Sequence, residues 1–170
     1  IDRRLGRVVE TVVVPDERPA IRKTLVRLVD ARGVDLVVTT GGTGVSPRDV
    51  TPEATREVID REVPGVAELM RLKGLCRTPR AMISRGVCGI RKRSVVLNLP
   101  GSPRGAVESL NVVLPLLPHL IGKVQGDQAD CSGIGTLQAY GDGGRGEERV
   151  GAVHEPPLHP RVSERGARAE

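Results

Sequence analysis

Residues 39–49, TTGGTGVSPRD, set Gly41, Gly42 and Gly44 among the hydroxyls of Thr39, Thr40, Thr43 and Ser46, followed by the adjacent charges of Arg48 and Asp49. Glycines let the backbone turn its N–H groups toward one point and let a ligand approach without a Cβ in the way, which suits a phosphate or pyrophosphate. The stretch is neither GxxxxGK[ST] nor GxGxxG, so it is not a Walker loop or a dinucleotide fingerprint, and a plain strand-to-helix turn stays open beside the anion cradle. Asp49 has two chemistries available: liganding Mg2+ on phosphate oxygens, or an Asx-type hydrogen bond to the local backbone. Arg48 can neutralise phosphate or pair with Asp49.

Two other stretches repeat the arrangement of apolar run, then polar turn. VVVPDE (12–17) ends on Asp16, with the same ambiguity as Asp49, and NLPGSPRG (98–105) offers Asn98, Pro100, Gly101 and Ser102. A Pro-Gly turn into a helix explains the second equally well. IRKR (90–93) reads as a solvated hairpin and His119, inside an apolar helical stretch, as structural.

The elements that must position these turns alternate in type. RVVETVVV (7–14), VDLVVTT (34–40) and SVVLNLP (94–100) are β-branched or continuous apolar runs, expected as strands, the latter two buried. Residues 17–33 place Ile21, Leu25, Leu28 and Val29 at helical spacing, with Gly33 as the stop. A helix is expected from Pro52 to Arg61 with Thr51 as its cap, another over 63–74, and a third over 103–124 bent by Pro115 and Pro118; 80–90 reads as irregular or strand-like. Strand–helix alternation implies right-handed crossovers and a three-layer α/β/α domain on a mostly parallel sheet. In such sheets ligands settle at the carboxyl ends of strands, where all three polar turns lie.

A boundary is expected near Gln125. Residues 126–170 hold nine glycines and no apolar periodicity, which predicts a disordered tail after a domain spanning 1–125. His154 and His159, in HEPPLHP, read as solvated rather than metal-binding. Residues 1–125 carry 21 Lys/Arg against 13 Asp/Glu, and the remainder 5 against 8, so the domain is more basic than the chain's net +5 and attracts anions. One Tyr and no Phe or Trp argue against stacking platforms for nucleic acid, and no run of 18 apolar residues argues against a membrane span. Cys76, Cys88 and Cys131 show no metal spacing and are expected as reduced thiols of a cytoplasmic protein. The opening IDRRLGRVVE, without Met, reads as a fragment.

Taken together in their order and spacing, VVVPDE, TTGGTG with PRDVTPEAT, and GIRKRSVVLNLPGSPRGAVESL resemble the molybdopterin adenylyltransferases, the MogA/MoaB-like family that includes the gephyrin G domain. The similarity runs from about Arg7 to Val124. It implies Mg2+-dependent attack of the terminal phosphate of molybdopterin on ATP, giving adenylyl-molybdopterin and pyrophosphate. By the same resemblance Asp16 and Asp49 are the catalytic aspartates, Asp49 holding the metal. Thr40, Gly41, Gly42, Thr43, Gly44, Ser46 and Arg48 would cradle phosphates, and Asn98, Pro100, Gly101 and Ser102 would line the same pocket. A homotrimer is the family expectation, with hand-over of product to a molybdenum-insertion protein. The family's pattern also has a strand, a Ser-Asp loop and a helix ahead of the RVVETVVV strand. None is present in this sequence, so the sheet is expected to lack a central strand and to expose two edges. Two other readings stand beside the enzyme: a non-catalytic molybdopterin-binding scaffold of the same fold, and a basic nucleic-acid binder.

Overall fold

The computed structural model describes residues 6–128 and 149–154. Three layers result from two apolar runs that have no polar face. In β2 (Leu36–Thr40) and β5 (Ser94–Leu99), Leu36, Val38, Val95, Leu97 and Leu99 point one way and Val37 and Val96 the other. The first face is covered by α3 (Pro64–Leu75), α4 (Pro103–Val113) and α5 (Leu117–Val124), and the second by α1 (Arg18–Val26) and α2 (Thr51–Arg56). Strands buried on both faces need this continuous hydrophobicity.

The six-stranded sheet has the order β1-β6-β2-β5-β4-β3, with β1 at Arg7–Val13, β3 at Arg61–Glu62, β4 at Cys88–Arg91 and β6 at Arg149–His154. β1, β6, β2 and β5 run parallel, while β4 is antiparallel to β5 and β3 to β4. The sheet is therefore mixed, its parallel part carrying all three polar turns at one edge.

In place of the missing strand and two exposed edges expected of the sheet, β6 lies between β1 and β2, pairing with Val13 and with Thr40 through His154. Within the stretch read as a tail, Arg149–His154 is thus a strand; residues 129–148 and 155–170, with Cys131, Tyr140 and His159, lie outside the described residues. A six-residue run interrupted by Gly151 is too short for its periodicity to announce it, and the pairing surface comes from elsewhere in the chain.

Two local expectations change. Thr51 does not cap α2: it is the first helical residue, its N–H donating to Gly42 O at 3.2 Å, and Val50 occupies the cap position without a side-chain bond. The helix stops at Arg56, because Asp60 N–H and Val63 N–H bond the carbonyls of Ile90 and Cys88 and draw the chain into the short β3. Residues 80–90 divide into a 3-10 turn at Pro79–Ile83 and strand β4. The C-terminal helix does bend, by 65° between α4 and α5, where prolines cannot donate.

The IRKR hairpin is less solvated than its charge suggests. Arg91 grips Asp30 through Nε at 3.0 Å and Nη2 at 2.6 Å and donates Nη1 to Val58 O at 2.7 Å. The Arg91 guanidinium, helped by Lys92, holds the Asp30 carboxyl below its ordinary 3.8. A carboxyl whose folded value lies below its unfolded one stabilises the fold above the unfolded value and loses that contribution as pH falls through the folded one. The urea midpoint is therefore expected to be flat above about pH 5 and to fall below about pH 4, and Asp30→Asn should flatten that decline. Cys76 and Cys88 are both free, and burial pushes the Cys88 thiol up to about 12, which leaves it unreactive.

Candidate active site

The glycine loop leaves β2 in a conformation only glycine adopts easily: Gly41 and Gly42 have φ of 101° and 59°. Gly41 N–H bonds Leu99 O at 3.2 Å, and a Cβ on Gly101 would stand 3.1 Å from Gly41 Cα. The turns after β2 and β5 thus touch backbone to backbone.

Beyond the glycines the loop closes on Asp49. Its Oδ2 accepts Ser46 N–H at 2.8 Å while Asp49 N–H donates to Ser46 O at 2.9 Å. The Asx-type bond is therefore made, through one carboxylate oxygen. Gly44 makes room for it, since a Cβ there would lie 2.8 Å from Asp49 Oδ2. Gly44→Ala should barely alter stability, because a side-chain end can swing away. By displacing the carboxylate from Ser46 N–H it should quicken amide hydrogen exchange at Ser46 several-fold, with the thermal melt unchanged.

Asp16, after β1, reaches the same loop: Arg48 Nη2 donates to its Oδ2 at 3.2 Å. Arg48 pairs with Asp16 and not with Asp49. The other oxygen, Asp16 Oδ1, is buried and without a partner among the described residues. Such an orphan acceptor is where an incoming cation or donor would be satisfied.

Asn98 does not offer its amide outward. Buried to 1% exposure, it accepts Val87 N–H at 3.2 Å and donates to Thr39 Oγ1 at 2.9 Å and Thr55 Oγ1 at 3.0 Å. Strand parity puts it beside Val96 on the α1/α2 face, so it ties β2, β5 and α2 together, and Thr39 serves the same purpose. Ser102 caps α4, accepting Gly105 N–H at 3.2 Å.

The turns open onto two hollows. One, about 740 Å3, lies between α3 and α4; Asn98, Pro100 and Ser102 line its sheet end, and Arg71, Arg77 and Arg80 add positive charge. The other, about 390 Å3 and shallower, is lined by Ser46, Asp49, Arg18, Glu53 and Arg85. Of the residues expected in one pocket, Asn98, Pro100 and Ser102 thus line the first hollow and Ser46 and Asp49 the second.

Arg85 carries no signal in the sequence, and Glu53 only that of an acidic residue in the first turn of a helix. Arg85 donates Nε to Gly44 O at 2.6 Å, Nη2 to Asp49 O at 2.5 Å, and Nη1 to Glu53. Burial pushes the Glu53 carboxyl up, but its own backbone N–H and Arg85 outweigh this and hold it below its ordinary 4.5. Among the described residues no three His, Cys, Asp or Glu side chains gather to hold a metal, and no single helix is long and apolar enough to cross a membrane.

A family model described as "Probable molybdopterin binding domain" matches residues 2–119. The molybdopterin adenylyltransferase of Helicobacter pylori strain J99 is 45% identical over 115 residues, 68% of this chain and 65% of that protein. That of Haemophilus influenzae is 54% identical over 104 residues, 61% of this chain and 53% of that protein. The chain therefore spans between half and two thirds of these relatives' length. Among solved structures, the molybdopterin biosynthesis enzyme MoaB of Thermus thermophilus superposes with a TM-score of 0.63 at 62% identity, over 66% of this chain and 70% of that one. The molybdopterin biosynthesis Mog protein of Mycobacterium ulcerans does so with 0.64 at 42% identity, over 67% and 73%.

Proposed function

Because the chain belongs to the molybdopterin-binding domain family, we propose that it serves molybdenum-cofactor biosynthesis by transferring the adenylyl group of ATP to molybdopterin. The terminal phosphate oxygen of molybdopterin attacks the α-phosphorus of ATP, the bond between the α- and β-phosphates breaks, and pyrophosphate leaves with the electron pair. Reactions of this kind need positioning and charge neutralisation and no protein nucleophile.

The observation that carries the reading is the joining of three strand-end turns into one polar edge: Arg48 reaches Asp16, and Gly41 touches Gly101. The amides of Gly42, Thr43 and Gly44, which donate to no backbone carbonyl among the described residues, would bind phosphate oxygens with Thr40 and Ser46 beside them. Arg48 would neutralise them. The larger hollow, lined by Pro100 and Ser102 at its end and by Arg71, Arg77 and Arg80, would take the pterin and its phosphate.

Mg2+ on such sites takes one or two carboxylates and completes its shell with substrate oxygens, so the lack of a three-residue cluster among the described residues fits it. Asp16, through its orphan oxygen, and Asp49, while keeping Oδ2 on Ser46, are the residues that would hold it. When bound, the ion would offset charge on the phosphates.

In this reading the protein works in the cytoplasm as a homotrimer and passes its product to a molybdenum-insertion protein. The exposed apolar side chains Leu72, Leu75, Met82 and Ile83 supply a surface for assembly. The test is pyrophosphate release from ATP, expected only with both molybdopterin and Mg2+ present. A chain that binds molybdopterin and releases no pyrophosphate would instead be the scaffold of the same fold.

A further inference from the structure

Arg85 gathers several points of one stretch, residues 43–53, from which it is distant in sequence. Its own N–H donates to Thr43 O at 2.8 Å. Its guanidinium reaches Gly44 O and Asp49 O, the two ends of the arc that carries Ser46 and Arg48, and turns its third nitrogen to Glu53 in the first turn of α2. Nitrogens in a rigid planar fork hold three acceptors in a fixed relation, which a lysine with one nitrogen cannot do. Glu53 in turn depends on Arg85, for its second oxygen is buried without a partner among the described residues. Apart from Arg85, the arc is held by its internal bonds between Ser46, Arg48 and Asp49 and by the exposed pair of Arg48 with Asp16, and Val45 at its tip is 66% exposed.

We propose that Arg85, anchored by Glu53, is the positioning residue of the glycine loop, fixing the arc from Gly44 to Asp49 in the one shape that presents the Asp49 carboxylate and the loop amides to substrate. The role rests on the adenylyl-transfer reading for its consequence in turnover, and on the contacts alone for its consequence in loop order. Arg85 lines the shallower hollow, but its three nitrogens are engaged with protein acceptors, so it acts through the loop.

Two readouts test this on the full chain. Without any ligand, amide hydrogen exchange over residues 42–49 is expected to quicken at least about tenfold in Arg85→Ala, with β2 and β5 exchanging as in the unmodified chain. Unchanged loop exchange overturns the proposal, and so does a uniform rise across the domain. Should Arg85→Ala not fold, Arg85→Lys decides by the same measurement, since it keeps the charge and loses the fork. In turnover, both variants are expected to lose at least about thirtyfold in kcat with KM for molybdopterin changed by less than about threefold. Wild-type kcat in Arg85→Lys would show that charge alone matters and would overturn the positioning role. If the unmodified chain itself transfers no adenylyl group, the function proposed above fails while the exchange result still decides the role of Arg85.

Discussion

Asp49→Ala is expected to lower adenylyl transfer about a thousandfold while leaving the fold in place. The carboxylate sits on an exposed arc, so its removal costs the fold one local hydrogen bond, worth about 1 kcal/mol. In the site it removes both the anchor of Ser46 N–H and a negative charge next to the glycines. Asp49→Asn separates these, because the amide oxygen can still accept from Ser46 while the charge is gone. Loss of turnover in Asn to the level of Ala would assign the effect to the charge, as expected of a group facing Mg2+ and phosphate. Turnover near normal in Asn would make Asp49 a turn-forming residue only, and near-normal turnover in Ala would remove it from the catalytic group.

The second large effect concerns stability. Asn98→Leu should destabilise the domain by about 3 kcal/mol, because Val87 N–H and the hydroxyls of Thr39 and Thr55 would lose a partner inside the core. For a domain of this size that lowers the melting temperature by on the order of 10 °C. Asn98→Asp, which keeps the acceptor for Val87 but removes both donors and buries a charge, should be at least as damaging. A thermal melt of either variant within a degree or two of the unmodified chain would show that the buried triad is dispensable. Asn98 lines the larger hollow as well, but its side chain is engaged at the junction of β2, β5 and α2.

How much was legible follows from the range of each interaction. Val37 and Val96 within continuous apolar runs are signals carried by neighbours in sequence, and they led correctly to buried parallel strands and a three-layer fold. The parity of β5 could also have revealed Asn98, since it lies two residues from Val96 and shares its face. Arg85 was not legible. Its partners lie 36 and 41 positions away, and nothing local distinguishes it from other surface arginines. The cap of α2 is hidden for a similar reason: Thr51 has the right type, but its N–H is claimed by Gly42 across the loop.

Short stretches of residues were enough to establish the long strands and helices, the chemistry available at three strand ends, and the family, because glycine content, β-branched runs and motif order are local properties. Closing the fold was needed to put β6 between β1 and β2 and to send Arg48 to Asp16. It was needed also to set Asn98, Pro100 and Ser102 on one hollow and Ser46 and Asp49 on another, and to make Arg85 the residue that holds the loop. These are contacts between segments whose separation along the chain leaves no periodic trace, and only in the folded chain do their donors come within reach of their acceptors.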